Sequence, residues 1–227
     1  MQNTNKLTLI NLEKSFDPTP YSYIFGTEMT WLFKGRALPA NVLFIPDAYN
    51  GPDLVKYINL VKQVFLSLGI NIILISETDP IPQLRDAKCI VVGGGSMEKL
   101  LRGIDKYKNE LIAALLRKVP FLGWNEGAVL VCPGYVVPDP IPGFPNGLAV
   151  TNYQYFMNFD NSVVAKAKML DFLKKHETTT PSVTAIYALV NTSGGTGVRL
   201  EDDIVAIDYG GNSPVNPTKK FTQGDLK

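Results

Sequence analysis

One histidine and two cysteines serve a chain of 227 residues, and that scarcity excludes several chemistries. His176, Cys89 and Cys132 lie far apart, so they assemble neither a structural zinc pattern nor a disulfide framework. An excess of one charge is lacking too: 22 Lys+Arg against 21 Asp+Glu leave a net charge of +1. Affinity for nucleic acid grows with the phosphates neutralised, and no basic block is present, so that partner is not expected. No run reaches the roughly 18 apolar residues of a membrane span, and no membrane partner is expected. The opening MQNTNKLTLINLEKSF breaks its apolar stretch at Asn11 and Glu13, unlike a signal peptide. What is present is apolar residue in quantity, 45% of the chain, enough for a sizeable core. A cytoplasmic protein without metal or cofactor is the expectation, with one domain over 1–227 and a polar tail over 212–227 that is frayed or an edge arm.

Short apolar runs alternate with helical patterns through the first two thirds of the chain. KLTLINL (6–12), NVLFIP (41–46), INIILI (70–75), CIVVGGG (89–95) and VPFLGW (119–124) read as strands. They are nearly continuous in apolar residues, as strands covered on both faces are. Leu54, Ile58, Val61, Phe65 and Leu68 recur at helical spacing after the turn at Gly51 and Pro52, and Gly69 supplies the stop. Helical stretches over Met97–Ile104 and Lys106–Lys118 follow, the second expected to bury Leu111, Ile112, Leu115 and Leu116. Alternation of this kind predicts an α/β three-layer sandwich, a mostly parallel sheet with helices on both faces.

Beyond Cys132 the texture changes. Pro133, Pro138, Pro140, Pro142 and Pro145 leave little room for helix. LAVTNYQYF (148–156) reads as a strand, and Ser162–Lys175 as a helix with Val163, Ala167, Leu170 and Lys174 in register. PSVTAIYALV (181–190) and DIVAIDYGG (203–211) read as late strands around the turn TSGGTG, an antiparallel extension of the sheet.

Two glycine-bearing turns stand at the carboxyl ends of the central strands, where open α/β sheets place ligands. In VVGGGSMEKL, Gly93, Gly94 and Gly95 let backbone approach a ligand, and Ser96 reads first as a helix N-cap. A dinucleotide fingerprint fails because Glu98 replaces its third glycine, and a P-loop fails for want of Gly-Lys-Ser/Thr. In FLGWNEGAVLVCPG, the small residues Gly123 and Gly127 flank an apex at Asn125, the pattern of a nucleophile elbow. A side chain at such an apex is held at positive φ, which asparagine tolerates better than most residues. Cys89, Cys132 and the aromatic residues Trp124, Tyr153, Tyr155 and Phe156 read as core, and His176 as the capping residue of a helix end.

The run VVGGGS, LL, FLGWNEGA, CP, PNGL and FMNF resembles the dipeptidase E (aspartyl dipeptidase) and cyanophycinase-type serine peptidases of the class I glutamine amidotransferase-like superfamily. The resemblance spans most of the chain and implies a flavodoxin-like fold. It implies a serine nucleophile within G-W-S-A-G-A, where this chain carries Asn125 for the serine and Glu126 for the alanine. It implies a histidine within Q-I-N-P-H-F-T-N, where QYFMNFDN places Asn158, and an acidic residue whose counterpart falls near Asn191. The Gly93–Gly95 turn, whose N–H groups help form the family's oxyanion hole, is kept.

Serine catalysis needs an oxygen nucleophile beside a base that takes its proton, and an amide at 125 and another at 158 supply neither. The expectation is therefore a peptidase-like chain, not an enzyme, with no intact catalytic residue. It would keep a pocket at Gly93–Ser96, Asn125–Glu126 and Asn158 for a small peptide or amino-acid-like ligand, or a regulatory role. Two alternatives stand beside it: an active hydrolase rebuilt on Glu126 and Asp160, and a ligand-free scaffold. A homodimer is the expected assembly on frequency alone.

Overall fold

The computed structural model describes residues 5–12, 18–48, 51–134, 146–156, 162–175, 185–189, 196–202, 204–210 and 218–222. Five strands pair in parallel: β1 (Lys6–Asn11), β2 (Asn41–Ile45), β3 (Asn71–Leu74), β4 (Ile90–Val92) and β5 (Phe121–Trp124). Two late strands, β8 (Thr196–Glu201) and β9 (Ile204–Gly210), join antiparallel beyond β1. The order across the sheet is β3-β2-β4-β5-β1-β8-β9. A second sheet holds β6 (Tyr153–Phe156), β7 (Ala185–Leu189) and β10 (Thr218–Thr222) in the order β10-β7-β6. The antiparallel extension differs from the one expected: β8 is the strand that pairs with both β1 and β9, while β7, within 181–190, joins the second sheet, where β10 stands at the edge.

Successive side chains of a strand face opposite ways, and the core divides accordingly. Ile10, Val42, Phe44, Val91, Leu122 and Trp124 enter one cluster with α1 (Pro18–Leu32) and α2 (Gly51–Ser67). Leu9, Leu43, Ile45, Val92 and Phe121 enter the other. There they meet α3 (Pro80–Asp86), α4 (Met97–Ile104), α5 (Lys108–Leu116) and α6 (Glu126–Leu130). Helices thus cover both faces of a mostly parallel sheet, and α7 (Val163–Lys175) contacts β7 and β10 of the smaller one.

The structure corrects several details. Helix α1 occupies a segment to which the sequence reading gave no element. Pro18 and Pro20 fall in its first turn, where a missing N–H costs nothing, and Tyr21, Ile24, Phe25, Met29 and Leu32 are its buried stripe. The buried face of α2 is Tyr57, Leu60, Val61, Val64 and Phe65, with Leu54 and Ile58 only half-buried. Leu116 is exposed, and Ala114 takes the core position instead. Val163, expected in the buried register of α7, is exposed. Of the expected turn TSGGTG, Thr196 and Gly197 belong to β8, and 192–195 lie outside the described residues. Strand pairing in 148–156 starts only at Tyr153, because Leu148, Ala149 and Val150 donate their N–H groups to carbonyls of Leu130, Cys132 and Val131. They close the carboxyl end of α6.

One ion pair ties α1 to the antiparallel side. Arg199 of β8 donates from Nε and Nη2 to the two oxygens of Glu28, at 2.8 and 2.7 Å. Glu28 is 1% and Arg199 12% exposed. Trp31 lies beside the pair, with Arg199 5.6 Å and Lys6 5.2 Å from its ring centre. Truncating one partner of a buried pair strands the other charge. Glu28→Ala is therefore expected to lower unfolding free energy by about 3–5 kcal/mol, read from urea denaturation, with Glu28→Gln losing less.

Candidate functional site

The loops leaving β2 and β4 go to opposite faces of the sheet, because α2 and α4 pack into different clusters. The same divergence occurs at β5 and β1, whose following helices α6 and α1 are also on opposite faces. Such divergences open crevices at the carboxyl ends of strands, and the two glycine-bearing turns stand there.

The elbow is built as its small flanks require. A Cβ on Gly123 would lie 2.7 Å from the carbonyl oxygen of Gly127, and one on Gly127 would collide with the carbonyl of Val92. Strand β5 can therefore turn into α6 only with glycine on both sides of the apex. Asn125 has φ 51° and ψ −123°, the positive φ expected. The ψ places it outside the left-handed helical region, with angles close to those of the first corner of a type II′ turn, where Gly, Asn and Asp dominate. A conformation this sparsely populated costs about 1–3 kcal/mol.

The Asn125 side chain is engaged on both its polar atoms. Its Oδ1 accepts from Leu12 N–H at 2.8 Å, and its Nδ2 donates to the Leu12 carbonyl at 3.0 Å. The Asn125 N–H itself donates to the Ile10 carbonyl at 2.8 Å. The backbone of β5 has left the sheet at this point, and the amide adds one more rung between it and the chain leaving β1.

Glu126 turns toward the glycine turn, and its Oε2 accepts from Gly95 N–H at 2.6 Å. A Cβ on Gly94 would stand 2.5 Å from Asn125 Cβ and 2.8 Å from Glu126 Oε2, so the turn and the elbow are in direct contact. Gly93 instead backs onto Tyr57 and Trp124. Ser96 is the expected N-cap, its Oγ accepting from Lys99 N–H, and its own N–H donates to the Ala48 carbonyl. The structure therefore brings Gly94, Gly95, Asn125 and Glu126 together. Asn158, Asp160, His176 and Asn191 lie outside the described residues.

Neither thiol stands in as a nucleophile. Cys89 and Cys132 are fully buried, and burial pushes both thiols far above their ordinary range, away from the reactive thiolate. Trp124 belongs to an aromatic cluster, 4.8 Å from Phe25 and stacked 6.1 Å from Phe44, and Tyr155 is buried. Among the described residues, no three His, Cys, Asp or Glu side chains converge as metal ligands, and no helix is long and apolar enough to cross a membrane.

The sequence reading passed over Asp47, just beyond the carboxyl end of β2. It accepts a hydrogen bond from the Tyr107 hydroxyl. Burial raises its carboxyl pKa, against the lowering effects of that bond and of Lys106. An acidic residue directly after a strand, in FIPDAY, was the available signal.

Comparison with known proteins then gives the family. Peptidase family S51 matches residues 27–140, half of the chain. The chain belongs to that family. Peptidase E of Salmonella paratyphi A is 32% identical over 130 residues, 52% of this chain and 56% of the relative. Peptidase E of Salmonella typhimurium is 31% identical over the same shares. The chain thus matches just over half the length of these curated relatives. Two solved structures share the fold. A peptidase from an acI-B1 Actinobacterium superposes with TM-score 0.64 at 14% identity, covering 98% of this chain and 96% of its own. A Listeria monocytogenes EGD-e protein provisionally assigned as a peptidase E gives 0.60 at 15% identity, covering 96% and 100%.

Asn125→Asp replaces a donor with an acceptor facing the Leu12 carbonyl, so it should cost about 1–3 kcal/mol, with the loss shrinking at acid pH as the carboxyl gains a proton. Asn125→Gly should cost less than Asn125→Ala, because glycine relieves the backbone strain; urea midpoints of the three variants order them. Asp47 sets a pH dependence. Between the free carboxyl value near ~3.9 and its raised value, the folded state holds a proton that the unfolded chain has released. Stability therefore falls as pH rises through that window. Asp47→Asn keeps an acceptor for Tyr107 and should remove this fall, matching or exceeding the native chain at pH 7 in the same titration.

Proposed function

We propose that this chain is a non-hydrolytic member of family S51. It keeps the family's elbow and glycine turn as a site for a small peptide or amino-acid-like ligand, or for a regulatory role. The observation that carries this reading is Asn125. The apex that the resemblance gives to a serine holds an amide, and that amide is bound on both sides by Leu12. An amide has no proton to give up to a base and no nucleophilic oxygen at neutral pH. The position matched to the histidine is Asn158, which adds no base.

A rebuilt hydrolase using Glu126 is less well supported. A general base must reach the proton it removes, and the Oε2 of Glu126 is already held by Gly95 N–H. The sequence resembles aspartyl dipeptidases, so Asp-X dipeptides are the substrates to test. The purified chain should neither hydrolyse them nor be labelled by a fluorophosphonate probe. Asn125→Ser should fold and stay inactive, because one restored member does not complete the relay. Stoichiometric labelling of the native chain, or turnover by either protein, would overturn the reading.

A further inference from the structure

We infer that Glu126 is a tethered occupant of the glycine turn, a side-chain carboxylate that holds the remnant site shut against ligand carboxylates and carbonyls. This rests on the reading above in taking the turn as what is left of an oxyanion site. The contact itself is independent of that reading.

Four backbone N–H groups around the turn and the elbow are engaged. Gly95 N–H is held by Glu126 Oε2 at 2.6 Å. Ser96 N–H is held by the Ala48 carbonyl at 2.9 Å, and Lys99 N–H by Ser96 Oγ at 3.4 Å. At the elbow, Asn125 N–H is held by the Ile10 carbonyl. Space is filled as well as hydrogen-bonding capacity. Asn125 Cβ and Glu126 Oε2 stand against the bare face of Gly94 so closely that even a methyl group would not fit. A substrate oxygen approaching Gly95 would have to take the place of Oε2.

The carboxylate is well suited to this. It sits on the first residue of α6, one position from an apex whose own side chain is pinned, so its backbone is fixed next to its partner. A tethered group competes at an effective concentration of mM order or more, while a free ligand gives up translational freedom on binding. Weak anionic ligands therefore lose to it. Glu126 is only half-buried, so its side chain can swing out to solvent, and the closure is reversible. The resemblance has alanine at this position, which cannot make the contact.

The test uses the full chain, isotopically labelled, with acetate as the probe. The Gly95 amide proton should resonate downfield in the native protein and move upfield in Glu126→Ala. Acetate should then perturb Gly95 saturably in Glu126→Ala, with affinity at least about tenfold above the native chain. Glu126→Gln keeps a neutral acceptor and should give an intermediate Gly95 shift, so it serves if the alanine variant folds poorly. A Gly95 proton unmoved by both substitutions, or equal acetate responses in native and variant chains, would overturn the inference. Dipeptide turnover by the native chain would instead overturn the non-hydrolytic reading and leave the Gly95 result standing.

Discussion

A parallel sheet has to end each strand somewhere, and in this chain the most consequential ending is the pair of hydrogen bonds between the Asn125 amide and Leu12. Strand β5 turns sharply into α6 after Trp124, while the chain from β1 continues one residue further before leaving for the other face. Without Asn125 the N–H and carbonyl of Leu12 would lose those partners at the divergence. A primary amide presents a donor and an acceptor on one planar group, as a peptide unit does. It therefore substitutes for the strand residue that β5 no longer supplies. The two ends of this link are 113 positions apart, so it fastens the start of the chain to the elbow.

The same device recurs at the free edge of the sheet. Asn71 and Ile75 of the β3 segment donate toward β2, at the carbonyls of Ala40 and Phe44, so the polar groups of Leu74 and Ser76 point outward. Gln83 of α3 meets both, donating from Nε2 to the Leu74 carbonyl at 3.1 Å and accepting from Ser76 N–H at 2.6 Å. An edge strand with free polar groups invites another strand to pair, and the amide blunts that edge. Side-chain amides thus finish the ladder at two places where backbone cannot, one inside the sheet and one at its rim.

How legible these features were in the sequence follows from their range. The elbow and the glycine turn were readable because Gly123, Gly127 and Gly93–Gly95 answer steric demands within a few residues of each other. The positive φ of Asn125 was readable for the same local reason. The parallel strands were readable because burial on both faces leaves continuous apolar runs such as Ile90–Val92. Helix α1 went unread: it opens on Pro18 and Pro20, residues that a helix accepts only in its first turn. The rotation of the α2 stripe toward Tyr57 and Val64 depends on the aromatic cluster around Trp124, which no spacing within α2 reveals. The partners of Asn125 and Glu126 were beyond reach for a similar reason: Leu12 and Gly95 are distant in sequence, and only the topology sets them beside the elbow.

The strained apex poses a last physical question, since an amide at position 125 is no nucleophile. Relaxing Asn125 would require β5 and α6 to meet at a different angle. Gly123 packs on Gly127, and Gly127 on the carbonyl of Val92, so that angle is set by backbone contacts that remain. The conformation costs about 1–3 kcal/mol. Two hydrogen bonds of about 0.5–1.5 kcal/mol each offset it to within their own uncertainty. A serine hydroxyl is one atom with one proton and cannot serve Leu12 N–H and the Leu12 carbonyl as two separate atoms do. Asparagine at the apex therefore balances its strain within the fold. Glu126 beside it stands against the face of Gly94 and accepts from Gly95 N–H.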